Sequence, residues 1–149
     1  MNIITLQEPE GSIVAEDIRW QQRYQNFDRA LLLLQELLSY DIDELKPLEQ
    51  EGFAQRFEYT FELAWKTARD YLEHSGHVVA QASPRSVIKE AFATGIIEDG
   101  QQFIDMMATR NLLSHTYDFT KFKEILKNIK SEYLPALAKF HCYLSKRIR

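Results

Sequence analysis

The segment Met106-Met107-Ala108-Thr109-Arg110-Asn111-Leu112-Leu113-Ser114-His115-Thr116-Tyr117-Asp118 gathers Arg, Asn, Ser, His and Tyr into eight positions flanked by apolar residues. Placed on an α-helix at about 100° per residue, Arg110, Ser114, Asn111 and His115 fall within an arc of roughly 140°, while Leu112 and Leu113 point elsewhere. Arginine brings a permanent cation whose planar fork matches phosphate. Histidine gives or takes a proton near neutrality, and tyrosine offers a phenol that can act as a nucleophile. Together these groups can handle a phosphodiester. Without such a role, Arg110 and His115 would be a solvated helix edge and Tyr117 a half-buried packing residue.

A helix of this kind needs a scaffold, and composition says which kind is available. At 149 residues the chain fits one domain with a core large enough to fold alone. A hydrophobic content of 45% and a charged content of 27% are ordinary for a globular protein, and five Gly and four Pro leave little room for a many-turned β architecture. The single Cys142 has no intrachain disulfide partner and no second thiol for a zinc knuckle, which argues against a secreted scaffold and for the cytoplasm. No apolar run approaches the roughly 20 residues that span a bilayer, and the N-terminus lacks the basic region of an export signal. With a formal net charge of −4, counterion release gives no general drive toward nucleic acid, so contact with RNA or a nucleotide must be local. A protein partner or a small molecule suits such an acidic chain better.

Residues 1–16 mix Ile, Gln, Glu, Pro and Gly without periodicity and are expected to form a flexible N-terminal arm, with residues 17–149 as the helical domain. From Asp17, Trp20, Tyr24, Phe27, Leu31, Leu34 and Leu38 recur at three- and four-residue spacing, which predicts a helix to about Ser39. A second long helix is expected from about Leu48 to His74, closed by Ser75-Gly76 and buried along Phe53, Phe57, Phe61, Ala64, Trp65, Ala68 and Leu72. On another of its faces Glu58, Glu62, Lys66 and Asp70 form an i, i+4 ladder, which solvent would ordinarily cover. Ser83-Pro84 reads as an N-cap and first position of a short helix ended by Gly95. Asp99, with Gln102 three positions on, resembles a capping box that starts the helix carrying Arg110 and His115 toward its exit. The last helix begins near Thr120, buries Phe122, Ile125, Leu126, Ile129, Tyr133, Leu137, Phe140 and Leu144, and should kink at Pro135. The expected fold class is therefore all-α: an antiparallel up-and-down four-helix bundle with an additional short helix.

Two other sets of residues fail as sites. Gly11-Ser12 and Asp41-Ile42-Asp43 have the residue types with which nucleotidyltransferases hold triphosphate and Mg²⁺, but a long helix separates them and no strand pattern brings them together. The chain is thus not expected to transfer nucleotides itself. Among His74, His77, His115 and Cys142 the only close pair is His74-x-x-His77, in a helix-to-loop stretch without a nearby third ligand, so no metal is expected. A Gly-rich phosphate loop and a Ser-His-Asp signature are both missing, and no cofactor is expected.

The segment Arg110-Asn111-Leu112-Leu113-Ser114-His115-Thr116-Tyr117 resembles the Arg-x4-His-x-Tyr motif of the HEPN superfamily, helical proteins commonly paired with a minimal nucleotidyltransferase. The likeness extends to Arg19-Trp20-x-x-Arg23, to Gln55-Arg56-Phe57-Glu58-Tyr59-Thr60-Phe61-Glu62-Leu63-Ala64-Trp65-Lys66-Thr67, to Ser83-Pro84-Arg85 and to Ile104-Asp105-Met106-Met107. All of these look like the nucleotidyltransferase substrate-binding proteins, over about residues 18 to 145. Phe103 departs from the pattern, where Trp is expected, and this bears on packing rather than on chemistry.

Two functions follow from the resemblance. In the first, two copies dimerise and juxtapose their motifs into a metal-independent ribonuclease cleft, a toxin. His115 would act as general base or acid, Arg110 would stabilise charge on the phosphorane and Asn111 would orient it. The partner nucleotidyltransferase would silence the toxin by adenylylating Tyr117. In the second, the chain is a non-catalytic substrate-binding subunit of a two-component nucleotidyltransferase. In either case Glu58, Glu62, Trp65 and Lys66 are candidates for a partner or dimer face.

Overall fold

The computed structural model describes residues 3–79, 81–115 and 118–148, with the side chains of residues 3–17 and 119 left aside. Helix α1 runs Ile3–Gln35, α2 Pro47–His74, α3 Pro84–Ala93, α4 Gly100–Leu113, α5 Phe119–Asn128 and α6 Leu134–Ser145. Two 3₁₀ turns, Glu36–Ser39 and Ile42–Glu44, join α1 to α2, and a π-helical turn, Ile129–Tyr133, joins α5 to α6. Every element among the described residues is helical.

The local signals act where the residue types place them. Lys46 donates its backbone N–H to Glu49 at 2.9 Å and so opens α2. The Ser83 hydroxyl accepts the Ser86 N–H at the start of α3. Gly76 and Gly95 stand just past α2 and α3 at φ of 88° and 80°, a backbone that lets His77 and Ile96 donate back to Leu72 and Ala91 and close each helix. Asp99 accepts the Gln102 N–H at 3.3 Å, but Gln102 turns its own side chain to Glu132, so the box is half of the expected reciprocal pair.

Helix α2 is the common neighbour: α1, α3, α4 and α5 all pack on it. The expected stripe from Phe53 to Leu72 is buried throughout. Rings carry much of the packing between helices. Trp20 of α1 meets Tyr71 of α2 at 5.0 Å, Phe27 meets Phe140 of α6 at 5.8 Å, and Phe57 stacks on Tyr133 at 5.5 Å. On α6 the expected positions Leu137, Phe140 and Leu144 all face inward.

Three local expectations change. Leu38 is 51% exposed and Leu37 is buried in its place, because α1 tightens into a 3₁₀ turn at Glu36 and the inward face moves back by one residue. Asp70 leaves the solvated ladder. It is 2% exposed and takes Arg23 Nε at 2.8 Å from α1 and Arg69 Nε at 3.2 Å, so its charge is buried but doubly paired. The effect expected of Pro135 shows as the π-helical turn just ahead of it, since proline donates no N–H and the preceding turn widens. Helix α1 itself begins at Ile3, ahead of Asp17.

Removing one cation from a buried carboxylate leaves charge that water cannot reach. Arg23→Ala is expected to lower the unfolding free energy by about 3 kcal/mol, the low end for a broken buried pair because Arg69 remains. Urea denaturation followed by circular dichroism measures this; a loss within about 0.5 kcal/mol, as for ordinary surface substitutions, contradicts it.

Candidate functional site

Helix α4 brings Arg110 to its last turn, and the chain leaves the helix through Ser114 and His115. Two anchors set that end. Thr109 Oγ1 and the Tyr133 hydroxyl lie 2.9 Å apart, tying α4 to the π-helical turn, and Leu113 is buried in the core. Ser114 turns its hydroxyl back to the Arg110 carbonyl at 3.1 Å, and the His115 N–H donates to the Leu112 carbonyl. Asp118 then starts α5 by accepting from the Thr120 N–H and hydroxyl, which hold its carboxyl below the usual range.

Arg110 does not stand alone on this exit. Its Nη2 donates to Glu62 Oε2 of α2 at 2.7 Å, and the same carboxylate takes the Trp65 indole N–H at 3.1 Å and Lys66 Nζ at 3.1 Å. The two groups of residues that sequence reasoning kept apart, Arg110 with its neighbours and the Glu58, Glu62, Trp65, Lys66 face, are thus parts of one surface. Trp65 is buried and supports the surface from beneath, with the charges of Lys66 and Arg69 at 5.9 and 5.6 Å from its ring centroid. Asn111, the next residue after Arg110, and His115, at the helix exit, are exposed. Tyr117 lies outside the described residues.

Burial pushes the Glu62 carboxyl up, but hydrogen bonds from Trp65 and Lys66 with the charge of Arg110 outweigh it, and the group titrates below its ordinary value of 4.5. Burial raises the neighbouring Glu58 carboxyl, only partly offset by Arg110. One guanidinium therefore faces two carboxylates. Single hydrogen bonding through Nη2 leaves most of its five N–H donors available to an oxyanion.

Other candidates resolve into structure. Asp41 accepts the Asp43 N–H to cap a 3₁₀ turn, and Asp43 pairs with Lys127 at 3.2 Å. His74 lies against the rings of Trp20 and Tyr71, while His77 faces Glu90. Arg19 pairs with Glu73. Sequence reasoning missed Arg69, although its position four residues after Trp65 puts both on one helix face. It also missed the Glu62–Arg110 and Thr109–Tyr133 contacts, for which no local pattern exists.

The sign of the Glu62 shift gives a pH dependence. A carboxyl whose folded pKa is depressed contributes stability above its unfolded pKa, and loses it as pH falls through the folded value. Wild type should exceed Glu62→Gln in urea midpoint at pH 7, and the gap should narrow as pH is lowered below 4.5. A gap of constant size down to about pH 3 would rule out the charge on Glu62 as its source.

The family described as nucleotidyltransferase substrate binding protein like matches residues 22–146. No match was found among the curated proteins. The fold is similar to a protein from Thermus thermophilus known from its crystal structure, at 32% identity and a TM-score of 0.66, covering 83% of this chain and 98% of that one. The family match runs from within α1 to the end of α6 and takes in the whole Glu62–Arg110 surface, so this chain belongs to the nucleotidyltransferase substrate binding protein-like family.

Proposed function

We propose that this protein is a HEPN-type partner of a minimal nucleotidyltransferase and acts as a metal-independent ribonuclease toxin. What carries the reading is Arg110, oriented by Glu62 at a helix exit, with Asn111 and His115 exposed within five positions of it in the chain. In this reading His115 moves the proton of the attacking 2′-hydroxyl, Arg110 meets the charge that develops on the phosphorane, and Asn111 orients it. Two chains in a cytoplasmic homodimer set their α4 exits side by side, and the helices form an antiparallel up-and-down bundle with residues 1–16 as a loose arm. Fast amide exchange over residues 3–16 is the mark of such an arm.

Family membership supports the nucleotidyltransferase as partner. Tyr117, seven residues after Arg110, is the proposed adenylyl acceptor: its phenolate oxygen attacks the α-phosphorus of ATP, pyrophosphate leaves, and the phenolic proton passes to a base of the partner. The added bulk and negative charge then lie beside the arginine that must otherwise hold RNA.

One observation favours a second reading, a non-catalytic substrate-binding subunit. Arg110 is already neutralised by Glu62, with Glu58 close behind, in a chain of net charge −4. Such a surface suits docking of a partner or a small phosphate better than the grip of a polyanion.

Arg110→Ala and His115→Ala should each abolish RNA cleavage by the partner-free protein while the helical circular dichroism spectrum stays unchanged. If wild type leaves RNA intact across a range of salt, the substrate-binding reading stands instead. Incubation with the nucleotidyltransferase and ATP should add one adenylyl mass to the intact chain, lost in Tyr117→Phe; an addition that persists in that variant eliminates Tyr117 as acceptor. Charge reversal at Glu62 should change oligomer mass or partner binding, and no change in either removes the Glu62 face from the interface.

A further inference from the structure

Away from the Arg110 exit, the start of α4 and the length of α6 line an open cavity of about 390 Å³. That volume falls within the size class of small-molecule sites, about 300–1,000 Å³. Ile97, Phe103 and Phe140 form its floor, each at most 2% exposed, and Phe103 and Phe140 meet edge to face at 5.8 Å. The wall along α6 carries Lys139, Lys146 and Arg147. Lys139 and Lys146 are seven residues apart, close to two helical turns, so they project within about 20° of each other. Neither lysine forms an ion pair with a described carboxylate.

Arg147 is held in place before any ligand arrives. Its guanidinium lies 3.5 Å from the centroid of the Tyr143 ring and donates Nη1 to the Tyr143 carbonyl at 2.7 Å. A cation whose rotamer is already restricted loses less freedom on binding, and the rest of its fork remains to meet an oxyanion. Glu98 and Asp99 line the opposite rim, and Asp99 is committed to the Gln102 N–H. These two carboxylates repel an anion from the α4 side and direct it to the α6 wall. An apolar body then lies over Phe103 and Ile97.

We propose that this cavity is a binding site for a small aromatic oxyanion, a ring that carries one phosphate or carboxylate. The ring occupies the apolar floor and the oxyanion meets Lys139, Lys146 and Arg147. The site is independent of the Arg110 exit and of the function proposed there.

Phenyl phosphate titrated into the whole protein should shift the aromatic NMR resonances of Phe103, Phe140 and Tyr143. Inorganic phosphate and benzyl alcohol, which carry half the chemistry each, should bind at least about tenfold more weakly. Lys139→Gln/Lys146→Gln, both at exposed positions, should weaken phenyl phosphate by about tenfold or more while leaving the circular dichroism spectrum and any RNA cleavage unchanged. Benzoate in place of phenyl phosphate tells whether carboxylate serves as well; binding of either supports the site. The proposal is overturned if neither binds, if either control binds as tightly as phenyl phosphate, if the double variant binds like wild type, or if the shifts centre on α4 near Arg110.

Discussion

Helix α2 must be buried along most of its circumference, because α1, α3, α4 and α5 all lean on it. A helix in that position tolerates polar groups only where each finds a partner. Thr60 and Thr67 are buried and bond back to the carbonyls of Arg56 and Leu63. Asp70 is buried and takes two arginines. The face toward α4 carries charge that is only half covered. Glu58 and Glu62 stand there, and α4 answers with Arg110.

The resulting ion pair restrains without locking. Its two side chains are 31% and 28% exposed, and pairs of that kind contribute about 0–1 kcal/mol. Trp65 and Lys66 also hold the Glu62 carboxylate, which limits its freedom to follow Arg110 into other positions. A phosphate near the α4 exit therefore competes with a weak intramolecular partner for a guanidinium that is already oriented. Screening by salt acts on both contacts, and neutralising Glu62 alters only one.

Helix α4 is 14 residues long, and its two ends serve different surroundings. At the start, Gly100 sits so close to the Phe92 ring that a Cβ there would approach within 3.0 Å, and Phe103 closes the floor of the cavity. At the exit, Thr109 and Leu113 fasten the helix while Arg110, Asn111 and His115 turn outward. From Phe103 to Arg110 is about 10 Å along the axis, nearly two turns with buried Met106 between them. That separation is about one Debye length at 0.1 M salt, so screening by solvent and ions weakens the action of the exposed charges of one end on those of the other.

Much of this was legible in the residue order, because the signals concerned are local. The stripe from Phe53 to Leu72, the Ser83 and Asp99 caps and the glycines at 76 and 95 each act through neighbours within five positions, the reach of helical hydrogen bonds and of one helix face. The polar run from Arg110 to His115 was equally plain, as was its place at a helix exit. Tertiary structure decided what those helices do to one another. It put Leu37 inside instead of Leu38, took Asp70 out of solvent, and widened the chain ahead of Pro135. It also joined Glu62 to Arg110 across 48 positions. Periodicity says which face of a helix turns inward, but the meeting of two particular side chains depends on the rotation and sliding of whole helices, which the packing of rings such as Phe57 on Tyr133 settles only after the chain has folded.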